Sequence, residues 1–129
     1  MNMKPQDLRA RLMSFAVAVS RVTLPLFDQP ATRALADQLQ RAAGSAAANY
    51  RSAGRARSHA EFRSRLAVAL EEADEALHWL QLGQQTGQIS LDQAEGLIQE
   101  AGEIVAILGA SRRTALRHAQ AKDRAAGRR

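Results

Sequence analysis

Apolar side chains recur in steps of three and four along four stretches of the chain, as in helices that each bury one face. The first carries Leu8, Leu12, Phe15, Val19 and Val22. The second carries Leu35, Leu39, Ala42, Ala43, Ala46 and Tyr50. Phe62, Leu66, Ala69, Leu70, Ala73, Leu77 and Leu80 form the third, and Leu97, Ile98, Ala101, Ile104, Val105 and Leu108 the fourth. No run of β-branched residues alternates as a strand would. The pattern predicts an all-α, antiparallel up-down four-helix bundle over residues 1–117. Residues 118–129 lack apolar side chains larger than Ala, and are expected to be a basic tail, frayed or disordered until something binds it.

Breaks between the stretches carry the usual stop and start chemistry. Pro5 and Asp7 open the first helix. Two prolines interrupt Thr23 to Pro30, where Leu24, Leu26 and Phe27 are expected to fold back over one end of the core. Asp28 is placed to cap the second helix, about Ala31 to Ser52, with Pro30 in its first turn. Ser58-x-x-Glu61 reads as a capping box for the third helix, which should end near Gln85 with Gly87 as terminator. Ser90-x-x-Gln93 reads as another such box.

The second stretch is slim. Ala42 to Ala48 offers little side-chain bulk, and Gly44 costs about 1 kcal/mol relative to Ala, so a close-packed neighbour is expected there. Gln38, Arg41, Ser45 and Asn49 run beside this face as a polar stripe. They are expected to form a structural polar core bonded between helices, a ligand-binding stripe being the alternative. Arg41 needs a partner, and Glu72 or Glu75 on the third helix can supply it, Glu75 first. Such a pair, if buried, would set helix register more than it would stabilise. Trp79 should pack near the bundle end or a subunit interface.

Charge sharpens the picture. The net charge of +5 conceals strong segregation: residues 66–111 hold eight acidic side chains and no Lys or Arg. Basic residues gather before and after them, and such poles call for a partner. The candidate nucleic-acid-binding residues are Arg51, Arg55, Arg57, Arg63 and Arg65 around the hinge, with Arg112, Arg113 and Arg117 near the end of the fourth helix. Lys122, Arg124, Arg128 and Arg129 extend the second group, and Lys4, Arg9 and Arg11 lie near the hinge. The two groups are expected at opposite ends of the bundle, giving two basic regions able to hold phosphates by counterion release. No aromatic side chain is read as interleaved with these arginines, so recognition of structured RNA by shape and backbone is favoured over stacking on single strands. The competing reading is that the arginines are merely solvated, or pair with acidic faces of neighbouring subunits.

Several classes fall away. Without cysteine there are no disulfides, thiolate chemistry or Cys-ligated zinc. Glu75-x-x-His78 has the spacing of a di-iron ligand pair, but a second Glu-x-x-His is missing, and only Glu100 and Glu103 could complete a site. His59 and His118 lie near helix ends. No metal, cofactor or catalytic residue is expected, and no Ser-His-Asp set or Gly-rich phosphate loop points to an enzyme. Arg9, Arg11 and Arg21 interrupt the apolar residues of the N-terminus, arguing against a signal peptide. No stretch is expected to reach a membrane span of about 20 apolar residues, and a cytoplasmic protein is expected.

Some of these residues also form a recognisable pattern. Gln38, Leu39, Arg41 and Ala42 are followed by Ala48, Asn49, Tyr50 and Arg51, then by Arg57, Ser58, Glu61 and Phe62. Glu72, Ala73, Asp74, Glu75, Trp79 and Leu80 complete it. Together they resemble the bacterial four-helix bundle family that includes proteins encoded in intervening sequences of large-subunit ribosomal RNA genes. A relative of that family is the accessory variability protein of diversity-generating retroelements, a basic, barrel-shaped pentamer that works with a reverse transcriptase and its RNA. The likeness is strongest over residues 24–82 and extends over about 7–117. It implies a four-helix protomer, assembly into a pentameric ring, and no established catalytic residues. The expected function is a non-enzymatic homo-oligomer that binds structured RNA. The alternative is a protein-interaction scaffold or reverse transcriptase accessory subunit.

Overall fold

The structure is a computed structural model describing residues 3–127. Its elements are α1 (Pro5–Thr23), a 3-10 helix (Leu24–Asp28), α2 (Pro30–Ala53), α3 (His59–Gln85) and α4 (Leu91–Gly127). No strand occurs among the described residues. The fold class is therefore all-α, with four helices in an antiparallel bundle. Each helix packs on its sequence neighbour, α1 closes against α4, and α2 with α3 form the most extensive pair.

The expected seams supply the core. Leu12, Phe15, Val19, Leu39, Leu66, Leu80, Ile104 and Leu108 are fully buried, or nearly so. Around them Ala42, Ala43, Ala46, Ala69, Ala73, Ala76 and Ala101 are buried too. Small side chains on both α2 and α3 let the two backbones approach, which explains why that pair packs most. Gly44, however, is exposed, with open space where a Cβ would stand. The close approach falls on the alanines beside it, and Gly44 faces away from α3 into a surface groove.

Helix ends follow local chemistry with one exception. Ser58 Oγ accepts a hydrogen bond from the Glu61 amide at 3.1 Å, starting α3. Ser90 Oγ likewise accepts from the Gln93 amide at 3.3 Å, at the start of α4. Gly87 has φ +77°, a left-handed conformation that only glycine adopts without cost. Gly87→Ala should therefore lower stability by about 1 kcal/mol in a urea titration, although a Cβ there meets no other atom. Asp28 is not the cap of α2. That position belongs to Gln29, which makes no side-chain cap bond, because Asp28 is taken into the 3-10 helix. There Leu26 and Phe27 are half-buried, with Leu26 packed on the core, whereas Leu24 is 61% exposed and does not cover it.

Two expectations about the chain's ends change. Pro5–Asp28 is long and apolar enough to pass for a membrane span by length and composition. In the bundle it is two elements, and its large apolar side chains Leu8, Leu12, Phe15 and Val19 face the core. At the other end α4 continues as helix through Gly127 instead of fraying after Arg117. Ala, Arg, Lys and Gln are all good helix formers, and the last part of α4 is largely exposed. Arg128 and Arg129 lie outside the described residues.

Candidate nucleic-acid interface

Chain direction decides where the basic residues go. α1 runs away from the end where it starts, α2 returns, α3 leaves and α4 returns. The α2–α3 hinge, the start of α1 and the C-terminal part of α4 thus share one end. The two basic groups expected at opposite ends lie together, because four antiparallel helices return the chain to the end where it began.

Three hollows at this end tie the elements together. One, about 570 Å³, spans Pro5, Tyr50, Arg57, His59 and Phe62, and so joins α1, α2, the hinge and α3. A second, about 300 Å³, lies between the first turns of α3 and the far part of α4, lined by His59, Phe62, Arg63, His118 and Lys122. A third runs between α1 and α4 and shares Phe62, Ala115 and His118 with the second. On the α1–α2 face, Arg9, Arg51 and Arg55 flank an apolar groove floored by Met13, Gly44 and Ala48. Arg65, Arg112, Arg113 and Arg117 are exposed and line none of these hollows. They stand on the outer surfaces of α3 and α4 at the same end.

Ion pairing withdraws one cation from this surface. Arg11 Nε donates to both carboxylate oxygens of Glu100, at 3.1 and 3.0 Å, clamping α1 to α4. Glu103 lies 3.5 Å from the same guanidinium. The Glu100 hydrogen bond chiefly raises the Arg11 pKa further above its ordinary value. Arg51, Arg55, Arg57, Arg63, Arg65, Arg112, Arg113 and Arg117 enter no ion pair among the described residues. They present charge to solvent, as phosphate-binding side chains do.

The polar stripe of α2 is built differently from an interhelical ladder. Only Arg41 crosses to α3, donating to Glu72 at 2.8 Å and Glu75 at 2.7 Å. Asn49 Nδ2 donates back within α2 to the Ser45 carbonyl and Oγ, and Gln38 is half-buried. The Arg41 side chain is 47% exposed, so the pair is not a buried one. The Arg41 guanidinium, helped by a 3.2 Å bond from Trp79 Nε1, holds the Glu75 carboxyl below the usual carboxylate range. Trp79 is half-buried and meets His78 edge to face at 5.0 Å.

A lowered carboxyl pKa means stability fully present above the unfolded value and lost as pH falls through the folded one. Solvent screening keeps the amount small. Arg41→Met should cost about 0.5–1 kcal/mol at pH 7. Its deficit should shrink in thermal melts taken at acid pH, once Glu75 is protonated.

No group of three or more metal-ligating side chains occurs among the described residues. Glu75 is instead committed to Arg41 and Trp79. The residues missed by sequence reasoning are Phe62, His59 and His118. Phe62 lies between Arg57 and Arg63 in the chain, so an aromatic does stand among the arginines. Its place in the α3 seam assigns it wholly to the core, whereas it is only half-buried. His59, Phe62 and Arg63 at helical spacing, with the parity of four helices, were the available signals.

Comparison with known proteins agrees with the fold. The family model described as 23S rRNA-intervening sequence protein matches residues 6–110. A solved structure of a protein with unknown function from the S23 ribosomal protein family of Bacteroides thetaiotaomicron is similar, with a TM-score of 0.76 and 30% identity. The match covers 81% of this chain and 97% of that one. No curated protein matches.

Proposed function

Because the chain belongs to the 23S rRNA-intervening sequence protein family, we propose that it is a non-enzymatic, homo-oligomeric helical bundle that binds structured RNA through its basic end in the cytoplasm. The observation carrying this reading is the convergence of the hinge arginines and the α4 cations on one end of the bundle. Arg51, Arg55, Arg57, Arg63, Arg65, Arg112, Arg113 and Arg117 then form one phosphate-binding surface, on which backbone contacts set affinity and shape sets register. Gln38, Arg41, Ser45, Asn49, Glu72 and Glu75 serve structure: the Arg41 pairs with Glu72 and Glu75 hold α2 and α3 in register, while Ser45 and Asn49 bond within α2.

In this reading the bundle assembles into a pentamer, as the resemblance implies. Exposed Met13 on α1, beside Ala16, Gly44 and Ala48, supplies an apolar face for it. The α1–α2 groove between Arg9, Arg51 and Arg55 also supports a second reading, a scaffold docking an acidic protein surface such as that of a reverse transcriptase.

Light scattering on nuclease-treated protein, with and without a structured RNA at low and moderate salt, tests the proposal. An oligomer that binds RNA with steep salt dependence is expected. An oligomer indifferent to RNA would move the reading to the protein scaffold, and a monomer that binds no RNA would overturn it.

A further inference from the structure

The notch between α3 and the far part of α4 differs from the rest of the basic end. On α3, His59, Phe62 and Arg63 fall at i, i+3 and i+4, and so share one face. On α4, Ala115, His118 and Lys122 fall at i, i+3 and i+7, and face them across a cavity of about 300 Å³. The wall is apolar at Phe62 and Ala115, and donor-rich around it. Arg63 and Lys122 enter no ion pair among the described residues, and each imidazole can donate at least one hydrogen bond whatever its charge. One aromatic face ringed by unpaired cations is the chemistry that holds a base and its phosphate together.

Size and continuity narrow the occupant. The cavity stands at the small end of ligand sites, room for one base and far too little for a duplex. It is not isolated. His59 and Phe62 also line the hollow that contains Arg57, while Phe62 and His118 line the groove between α1 and α4. A strand entering along one of these and leaving along the other would carry a single residue into the notch.

We propose that this notch holds one unpaired nucleotide of a bound RNA, its base against Phe62 and Ala115 and its phosphate among Arg63, Lys122, His59 and His118. The inference rests on the RNA-binding reading and adds what shape recognition alone lacks, a preference for RNA with a base free to leave the stack.

Two hairpins identical except for one bulged nucleotide test it, with affinities measured by fluorescence anisotropy at fixed salt. The wild type should bind the bulged hairpin about tenfold more tightly. Phe62→Leu keeps an apolar side chain for packing, and His118→Ala alters an exposed position. Each should remove most of the preference while leaving affinity for the fully paired hairpin within about threefold, since the backbone contacts elsewhere persist. Circular dichroism establishes that both variants are folded. Equal binding of the two hairpins by the wild type, or a full preference retained by both variants, would overturn the notch and leave the RNA-binding reading standing. Binding of neither hairpin would overturn both.

Discussion

Reversing two hinge charges, Arg55→Glu with Arg57→Glu, should lower affinity for a structured RNA by roughly tenfold or more and flatten its salt slope by about two. Both side chains are exposed at the α2–α3 hinge, and neither enters an ion pair among the described residues. Their native contribution to the fold is therefore small, and the melting temperature should stay nearly unchanged. The loss is electrostatic. Each phosphate contact removed returns its counterions to the RNA, and each new carboxylate repels the backbone. Filter binding across a salt series reads both numbers. An unchanged slope would place the phosphate contacts elsewhere, and unchanged binding of an acidic protein partner would separate the RNA and scaffold readings.

Phe15→Ala should be the most damaging single change to the bundle. Phe15 is 2% exposed, at the centre of the α1 seam between Leu12 and Val19. Much of the surrounding core is alanine, whose short side chains cannot lean in to fill a void. Loss of the ring combines lost transfer energy with a cavity, about 3–5 kcal/mol together. That is a large fraction of the roughly 5–15 kcal/mol that holds a domain folded. A urea titration should show a midpoint far below the wild type with little change in slope. A loss under about 1 kcal/mol would mean that the α1 seam is not packed as described.

Much of the fold was legible because it rests on local periodicity and capping. The four seams, the Ser58 and Ser90 caps and the Gly87 terminator each depend on residues within a turn or two of one another. What eluded the sequence depends on relations between distant segments. Arg11 and Glu100 meet because α1 closes against α4, and no spacing rule reports on residues so far apart in the chain. Gly44 suggested tight packing by its identity, yet a helical glycine reveals nothing about which way it points; the neighbouring alanines made the close contact. The placement of the two basic groups is legible in the sequence, since helix parity alone puts the hinge and the end of α4 together. Phe62 was harder, being half in the core and half in the notch, and burial is graded where a pattern assigns a face.

The most direct measurement of whether the two basic groups act as one surface is a double-mutant cycle on a single short RNA hairpin. One variant reverses Arg55 and Arg57, a second reverses Arg112 and Arg113, and a third combines them. If both groups belong to one binding surface, each pair should lower the affinity of that hairpin, and the combination should lower it further. Two independent surfaces would instead leave each single variant with the full affinity of the untouched site and only a reduced number of hairpins bound. That result, or a wild type that binds no hairpin, would contradict the single basic end on which the functional reading rests.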